Sequence, residues 1–389
     1  MNLKTFLIAA ALVSIALDSR SPITCVGPIA SEMREAFGLT YQGYAFLTSI
    51  PILCLGGFSL AAPALARKTS TGTALLILFL LMAAGLAGRL FPSAAVLFAA
   101  TAATGAAIAM LNAILPVLVR HFFADRVTAA MGVFTALIGA SSTLGAYLAV
   151  PLLHLGGSYR WPLGFWLIPV AVSIAAWLAA GEKALPSFQQ TGRLDLSLAL
   201  RLPAWAVFFT MGMQSLTVYT VVGWLPSILA GKGFSLSDAA LCTSVFVLIS
   251  APASLFTAKL AAWCGGERNL SLVMAASFTA GVFCWSLGGA WAYLGSVLAG
   301  IPQGVELSLA MILFSKKSES LDQMLAISSL GQFAGYLLAG FGLALCGRLY
   351  AGDGNWTPIL VFFALADIVW GAAAFYAFGP CRVFERKKP

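Results

Sequence analysis

Residues 204–230 read AWAVFFTMGMQSLTVYTVVGWLPSILA, a run of 27 residues without a single Asp, Glu, Lys or Arg. A helix rises about 1.5 Å per residue, so this run is long enough to cross a hydrocarbon core about 30 Å thick. A polar break, Lys232-Gly233-Phe234-Ser235-Leu236-Ser237, then opens another apolar run. Eleven further runs of this kind lie at 5–30, 40–65, 72–89, 93–119, 127–153, 161–180, 237–263, 270–289, 292–314, 324–348 and 357–378. They are continuously apolar, whereas the strands of a membrane β-barrel alternate over about 10 residues. The composition agrees: of 389 residues, 60% are hydrophobic and only 9% charged. Soluble domains carry about 25% charged residues. This excludes a cytosolic enzyme, a nucleic-acid binder, a secreted disulfide scaffold and a disordered chain. The expected fold class is an all-α membrane protein of twelve transmembrane helices, with the lipid bilayer as its surroundings.

The opening stretch has an echo. Gly27-Pro28 closes the first run and Phe37-Gly38-Leu39-Thr40 leads into the second; Gly223-Trp224-Leu225-Pro226 and Phe234-Ser235-Leu236-Ser237 do the same for the seventh and eighth. The two pairs are 196 and 197 residues apart, close to half the chain. Each second opening offers a Thr or Ser to cap its helix. The longest polar connection runs from Gly181 to Pro203. The expected organisation is an N-terminal six-helix bundle over 1–180, a cytoplasmic linker over 181–203, and a C-terminal six-helix bundle with a short cytoplasmic tail over 204–389. Two parallel six-helix repeats resemble the major facilitator arrangement, with a substrate site near mid-bilayer between the halves.

Orientation follows from Lys and Arg, which concentrate on cytoplasmic loops. With the N-terminus inside, sixteen of the 22 fall on the inner face; Arg34, Arg89, Arg160, Lys232 and Arg348 fall on the outer one, and Arg20 lies within a span. Both termini are expected in the cytoplasm, and the net charge of +8 reflects this topology rather than a nucleic acid or an acidic partner. The first run has no clear cleavage site before Asp18 and Arg20, so it reads as a retained helix rather than a signal peptide. The seven cysteines show no CxxC spacing, and packing is their expected role. His121 and His154 fall near opposite faces, which leaves no metal set and no Ser/His/Asp grouping. No Walker motif is present. The chain is expected to be no enzyme, to need no cofactor or metal, and to act as a monomer.

Small residues recur at helical spacing: Gly331, Gly335 and Ala339 in span eleven, Gly132, Ala136 and Ala140 in span five, Gly105 and Ala109 in span four. Within lipid such stripes let helices approach closely. Ionisable residues at depth are costly and usually face the protein interior or a water-filled cavity. Arg20 lies in span one, two residues before the kink-forming Pro22, and its guanidinium can offer several donors to a small anion. Glu306 in span ten is open to three readings: a proton carrier, a partner for Arg20, or a cavity-lining group. Asp18 and Asp367 read as structural. Neutral polar groups cluster in span seven (Gln214, Ser215, Thr217, Tyr219, Thr220), span four (Thr101, Thr104, Asn112), span ten (Gln303) and span eleven (Ser328, Ser329, Gln332, Tyr336). Amides and phenols hydrogen-bond a solute without the cost of burying charge.

Particular segments then resemble one family, the cyanate/2-nitroimidazole permeases. Leu17-Asp18-Ser19-Arg20-Ser21-Pro22-Ile23-Thr24-Cys25-Val26-Gly27-Pro28 resembles their LNxRPxxTSVGPLLP-like first helix, and Leu47-Thr48-Ser49-Ile50-Pro51-Ile52 their LLTSLPVL stretch. Asn112-Ala113-Ile114-Leu115-Pro116 is similar to GNVLLP, and residues 214–226 are similar to NSLxYYxxxxWLP. Gly335-Tyr336-Leu337-Leu338-Ala339 matches GYLLA. The resemblance implies a bacterial inner-membrane carrier for a small polar or anionic solute, with Arg20, Asn112, Tyr219 and Trp224 at motif positions. Ser21 departs from the Pro usual after the first-helix Arg, and Glu306 stands where the family carries a neutral residue. The loop Ala66-Arg67-Lys68-Thr69-Ser70-Thr71-Gly72 lacks the Asp of the wider superfamily signature, and span five has no GPxxGG.

These readings converge on a secondary active transporter moving a cyanate-like anion or polar nitrogen compound by alternating access, coupled to protons. The expected substrate-binding residues are Arg20, Asn112, Gln214, Tyr219, Trp224, Gln303, Gln332 and Tyr336, with Glu306 for proton coupling. The alternatives are an efflux carrier for nitroimidazole-like toxic compounds and, of another class, a non-transporting membrane receptor or scaffold.

Overall fold

The computed structural model describes residues 3–180, 198, 201–349, 355–381 and 383–384. The described residues are helical throughout, joined by short turns. Eleven helices among them are long and apolar enough to cross a membrane, from Phe46–Lys68 in span two to Thr357–Ala377 in span twelve. Span one differs from the unbroken helix expected over 5–30. It runs as Leu3–Leu17, stops, and resumes as Ser21–Thr24. The predicted linker over 181–203 and the end of the tail lie largely outside the described residues.

The chain divides into two compact units, one of Met1–His121 with Leu137–Leu194, the other of Phe122–Ala136 with Asp195–Pro389. The start of span five therefore belongs with the second unit. In the first unit, span one packs on span six (Leu167–Ala180), which also meets span three (Thr71–Gly88). Ala11, Ile15 and Ala16 are buried there, and the Ser173 hydroxyl donates to the Ala11 carbonyl at 3.3 Å. In span four (Ala94–Phe122), the space where a side chain of Gly105 would stand is 3.0 Å from Cys54 of span two.

In the second unit, span seven (Leu202–Gly231) lies along span eleven (Leu321–Leu349). Span ten (Trp291–Lys316) lies between span eight (Leu236–Leu255) and span nine (Glu267–Leu287). Span twelve packs against both seven and nine. An apolar cluster joins all six, with Leu225, Phe246, Trp285, Ala299, Cys346 and Phe363 among its members. The outer surfaces stay apolar: Leu155 is 78% exposed and Phe283 63%. On a chain this poor in charge, that surface is the one that meets lipid acyl chains.

The internal echo survives as a shared device. Gly38 takes φ 61° and Gly233 φ 87°, a left-handed turn that favours glycine, and two residues later Thr40 and Ser235 cap the next helix. Their hydroxyls accept from the amides of Gly43 and Asp238 at 3.0 and 3.1 Å.

The small-residue stripes mark contacts. Gly331 and Gly335 of span eleven lie against Phe314 and Met211 respectively. The tightest approach to another helix's backbone lies outside those stripes: a Cβ on Gly304 of span ten would stand 1.8 Å from the Ser250 carbonyl oxygen of span eight. Backbone on one side and backbone on the other leaves no side chain to yield. Gly304→Leu is expected to cost at least about 1–3 kcal/mol and to lower the thermal midpoint of the purified protein. Gly340→Ala, which meets nothing within 4 Å, should leave that midpoint unchanged.

Candidate functional site: a broken first helix and a buried polar layer

The break in span one follows from Pro22. Proline has no N–H to give the Asp18 carbonyl, and its ring would press on that same carbonyl, so the helix stops one turn earlier. Before the break the bonds shorten to i−3, from Asp18 to Ile15 and from Ser19 to Ala16, at 3.1 and 3.2 Å. Arg20 sits at φ −134°, outside helical geometry. Lipid offers no water to the amides this releases, so protein groups must take them.

Ser141 of span five takes them. Its hydroxyl accepts from the backbone N–H of Arg20 at 3.0 Å and of Ser21 at 2.9 Å, and donates to the Leu17 carbonyl. One donor and two acceptor positions are the full capacity of a hydroxyl. Thr24 adds a bond from its hydroxyl to the Ser142 carbonyl at 2.9 Å. Gly145 lets the two helices meet this closely, because a Cβ there would fall 2.7 Å from the Ser21 carbonyl oxygen. Ser21, standing where the family has Pro, supplies one of the two amides that Ser141 holds.

Arg89 completes the clasp and corrects an expectation. It was counted with the outer-face charges, yet it is 2% exposed. Its guanidinium lies beside Cys25 and donates to the Pro22 carbonyl at 2.7 Å. Tyr44 donates its phenol to the Val26 carbonyl at 3.0 Å. Spans two, three and five thus hold the broken segment in place. Arg20 is half-buried at the break, and Asp18 is fully buried with neither carboxyl oxygen meeting a donor. Asn112 is buried in span four.

In the second unit, two of the expected residues are tied and others gather. Gln303 Nε2 donates to the Gln214 carbonyl at 3.5 Å, linking span ten to span seven, and Ser215 donates to Gln214 Oε1 at 3.3 Å. The rings of Tyr219 and Tyr336 lie 6.3 Å apart at 59°, linking span seven to span eleven. Gln332, one turn before Tyr336, donates to the Ser328 hydroxyl at 3.3 Å. Trp224 stands apart from this group, packed against the apolar cluster and against Gly347. Thr217 and Thr220 spend their hydroxyls on their own helix, donating to the Met213 and Leu216 carbonyls. Among the described residues no three His, Cys, Asp or Glu side chains converge as a metal set would.

Sequence reasoning missed three residues. Ser141 belongs to the pair Ser141-Ser142 in the middle of an apolar span, which was a readable sign. Arg89 ends a helix, and only its burial sets it apart from the other face charges. Asp367 was read as structural; its carboxyl faces that of Glu306, and both side chains are wholly buried. Ser141→Ala leaves the amides of Arg20 and Ser21 without their partner and is expected to cost about 1–3 kcal/mol. Thermal unfolding of the purified variant measures this, and Ser141→Thr should recover most of the loss.

Comparison with known proteins fits this architecture. The chain is 29% identical over 367 residues to the 2-nitroimidazole transporter of Escherichia coli, covering 92% of each protein. It is 24% identical over 363 residues to the cyanate transport protein of the same organism, covering 92% of this chain and 93% of that one. The crystal structure of the E. coli fucose:proton symporter superposes with a TM-score of 0.76 at 12% identity, covering 95% of this chain and 98% of that one; it shares the fold. A profile of the Major Facilitator Superfamily matches residues 7–343. The chain belongs to that superfamily and is a multi-pass secondary transporter.

Proposed function

We propose that this protein carries a small anion or polar nitrogen compound, cyanate-like in size and charge, across a bacterial inner membrane by alternating access coupled to protons. Both termini lie in the cytoplasm on this reading, as the sixteen-to-five division of Lys and Arg favours. The protein performs transport and no covalent chemistry, needs no cofactor, and works as a monomer.

The observation that carries the reading is the broken first span. Discontinuous helices in transporters bring a backbone interruption and its polar residues to the substrate, and Arg20 sits at this one. A guanidinium presents several directed donors to a small anion, and it keeps its charge under all physiological conditions. Gln214, Gln303, Gln332, Tyr219 and Tyr336 add neutral donors and acceptors that select for size and hydrogen-bonding pattern, and Asn112 does so in the first half. Trp224 contributes by bracing span seven from the apolar cluster. Glu306 carries the coupling proton.

A second reading, efflux of nitroimidazole-like compounds, is favoured by the 29% identity to the 2-nitroimidazole transporter. The residues serve both directions equally, since a carrier follows whatever gradient drives it. A nitro group and a cyanate ion both present partial or full negative charge to Arg20.

Uptake by right-side-out vesicles of radiolabelled cyanate, other small anions and 2-nitroimidazole, with and without an imposed pH gradient, tests the proposal. Saturable transport of at least one class is expected. Arg20→Gln should weaken it by about tenfold to a hundredfold, the worth of a hydrogen bond to a charged group. Normal transport by that variant would remove Arg20 from the binding site. A phosphatase fused after residue 389 should stay inactive while a fluorescent protein fused there folds; the opposite result would reverse the topology.

A further inference from the structure

We propose that Glu306 and Asp367 hold one proton between them, and that this dicarboxyl pair on spans ten and twelve, not Glu306 alone, is the proton-coupling site. The inference rests on the transport reading above and deepens it by adding a second residue and a mechanism.

The geometry is simple. Both side chains are 0% exposed, and the two carboxyl groups face each other. None of their four oxygens meets a donor. An ionised carboxylate only accepts hydrogen bonds, so two ionised groups in this position would present acceptor to acceptor. Add one proton and the same contact becomes a donor–acceptor pair. Two like charges sharing a site cannot both ionise cheaply, least of all where burial has removed water.

Among the described residues of this unit, the charged groups on the helices packed against spans ten and twelve stand at or near helix ends. They are Asp238 on span eight, Lys259 on the short helix Thr257–Trp263 that follows it, where it lies over the Trp263 ring, Glu267 and Arg268 on span nine, and Asp322 and Arg348 on span eleven. Span seven carries none within its helix, which is flanked by Arg201 just before its start and Lys232 just beyond its end. Several of these are engaged elsewhere. Asp238 accepts from Ser235 and Tyr293, Lys232 donates to the Ser286 carbonyl, Arg268 lies over the Phe375 ring, and Glu267 is paired with Lys316 at 2.7 Å. The stretch of span five that belongs to this unit touches span ten through hydroxyls, Thr135 and Ser308 at 2.5 Å; its charges, Asp125 and Arg126, lie at its exposed start. The remaining titratable groups on these helices are tyrosines and cysteines.

The pair also has a route of influence on the polar layer. Gln303 lies one turn from Glu306 on span ten and donates to span seven at Gln214. A change of charge at Glu306 therefore acts within one helical turn of Gln303, and through it on the tie to Gln214. Loss of the shared proton would leave two carboxylates repelling each other across the contact between spans ten and twelve. Such a state has a reason to rearrange, and the protonated one does not.

The test uses the purified full-length protein in two measurements. Infrared difference spectra at neutral pH should show the carbonyl stretch of a protonated carboxylic acid that disappears in alkali. The band should be altered or lost in Glu306→Gln and in Asp367→Asn alike, while Asp367→Glu retains it. A band indifferent to Asp367 would overturn the shared-proton site without touching the transport reading. In proteoliposomes with a trapped pH dye, the protons moved per substrate molecule should fall by about tenfold in both single variants. Loss in Glu306→Gln with none in Asp367→Asn would restore Glu306 as a lone carrier. A wild type that moves substrate with no protons, or with sodium in their place, would remove the coupling role itself.

Discussion

Every backbone amide in the hydrocarbon core needs a partner within the protein, and this protein departs from the helical solution in span one. Pro22 breaks span one, and the hydroxyl of Ser141 takes up the released amides of Arg20 and Ser21. Around that one hydroxyl the broken segment is clasped. Gly145 gives it access, Thr24 doubles the tie to span five, and Arg89 grips the Pro22 carbonyl from span three. The break is held as firmly as a helix would be, with an irregular backbone in place of a regular one. That irregularity is what brings Arg20 out of a helical stack.

The second unit solves a different problem. Its interior carries amides, phenols and two carboxyls where an apolar core would have been simpler. Gln303 and Gln214 satisfy each other in part, and Tyr219 lies near Tyr336. The apolar cluster built on Leu225, Phe246 and Trp285 supports this layer, and Trp224 belongs to that support rather than to the polar group. Rigid packing at Gly304 fixes span ten against span eight, so that Glu306, two residues further on, has a defined place.

Much of this was legible from residue order because the bilayer imposes so strong a rule. Spans two to twelve are apolar runs, and most of their structural ends fall within a few residues of those read from hydropathy; span eight, which stops at Leu255 instead of 263, is the largest departure. The repeat was legible because a left-handed glycine and a cap leave a short, recognisable mark at Gly38-Leu39-Thr40 and Gly233-Phe234-Ser235. What could not be read was pairing across helices. Arg89 looks like any loop charge until a carbonyl 67 residues away is seen to accept from it. Asp367 belongs to a helix that the fold pattern assigns to the periphery, and only packing turns its carboxyl towards Glu306. Thr217 and Thr220 look available in a list of polar residues, but each is spent on its own helix.

The clasp on span one also sets an order of events during synthesis. Pro22 and the released amides leave the ribosome early, but the Arg89 that grips them lies 67 residues later, and the Ser141 that takes the Ser21 amide 120 later. Until span five has been made, the amides of Arg20 and Ser21 lack the Ser141 hydroxyl that holds them. The broken segment of span one thus reaches its native shape only after span five is in place.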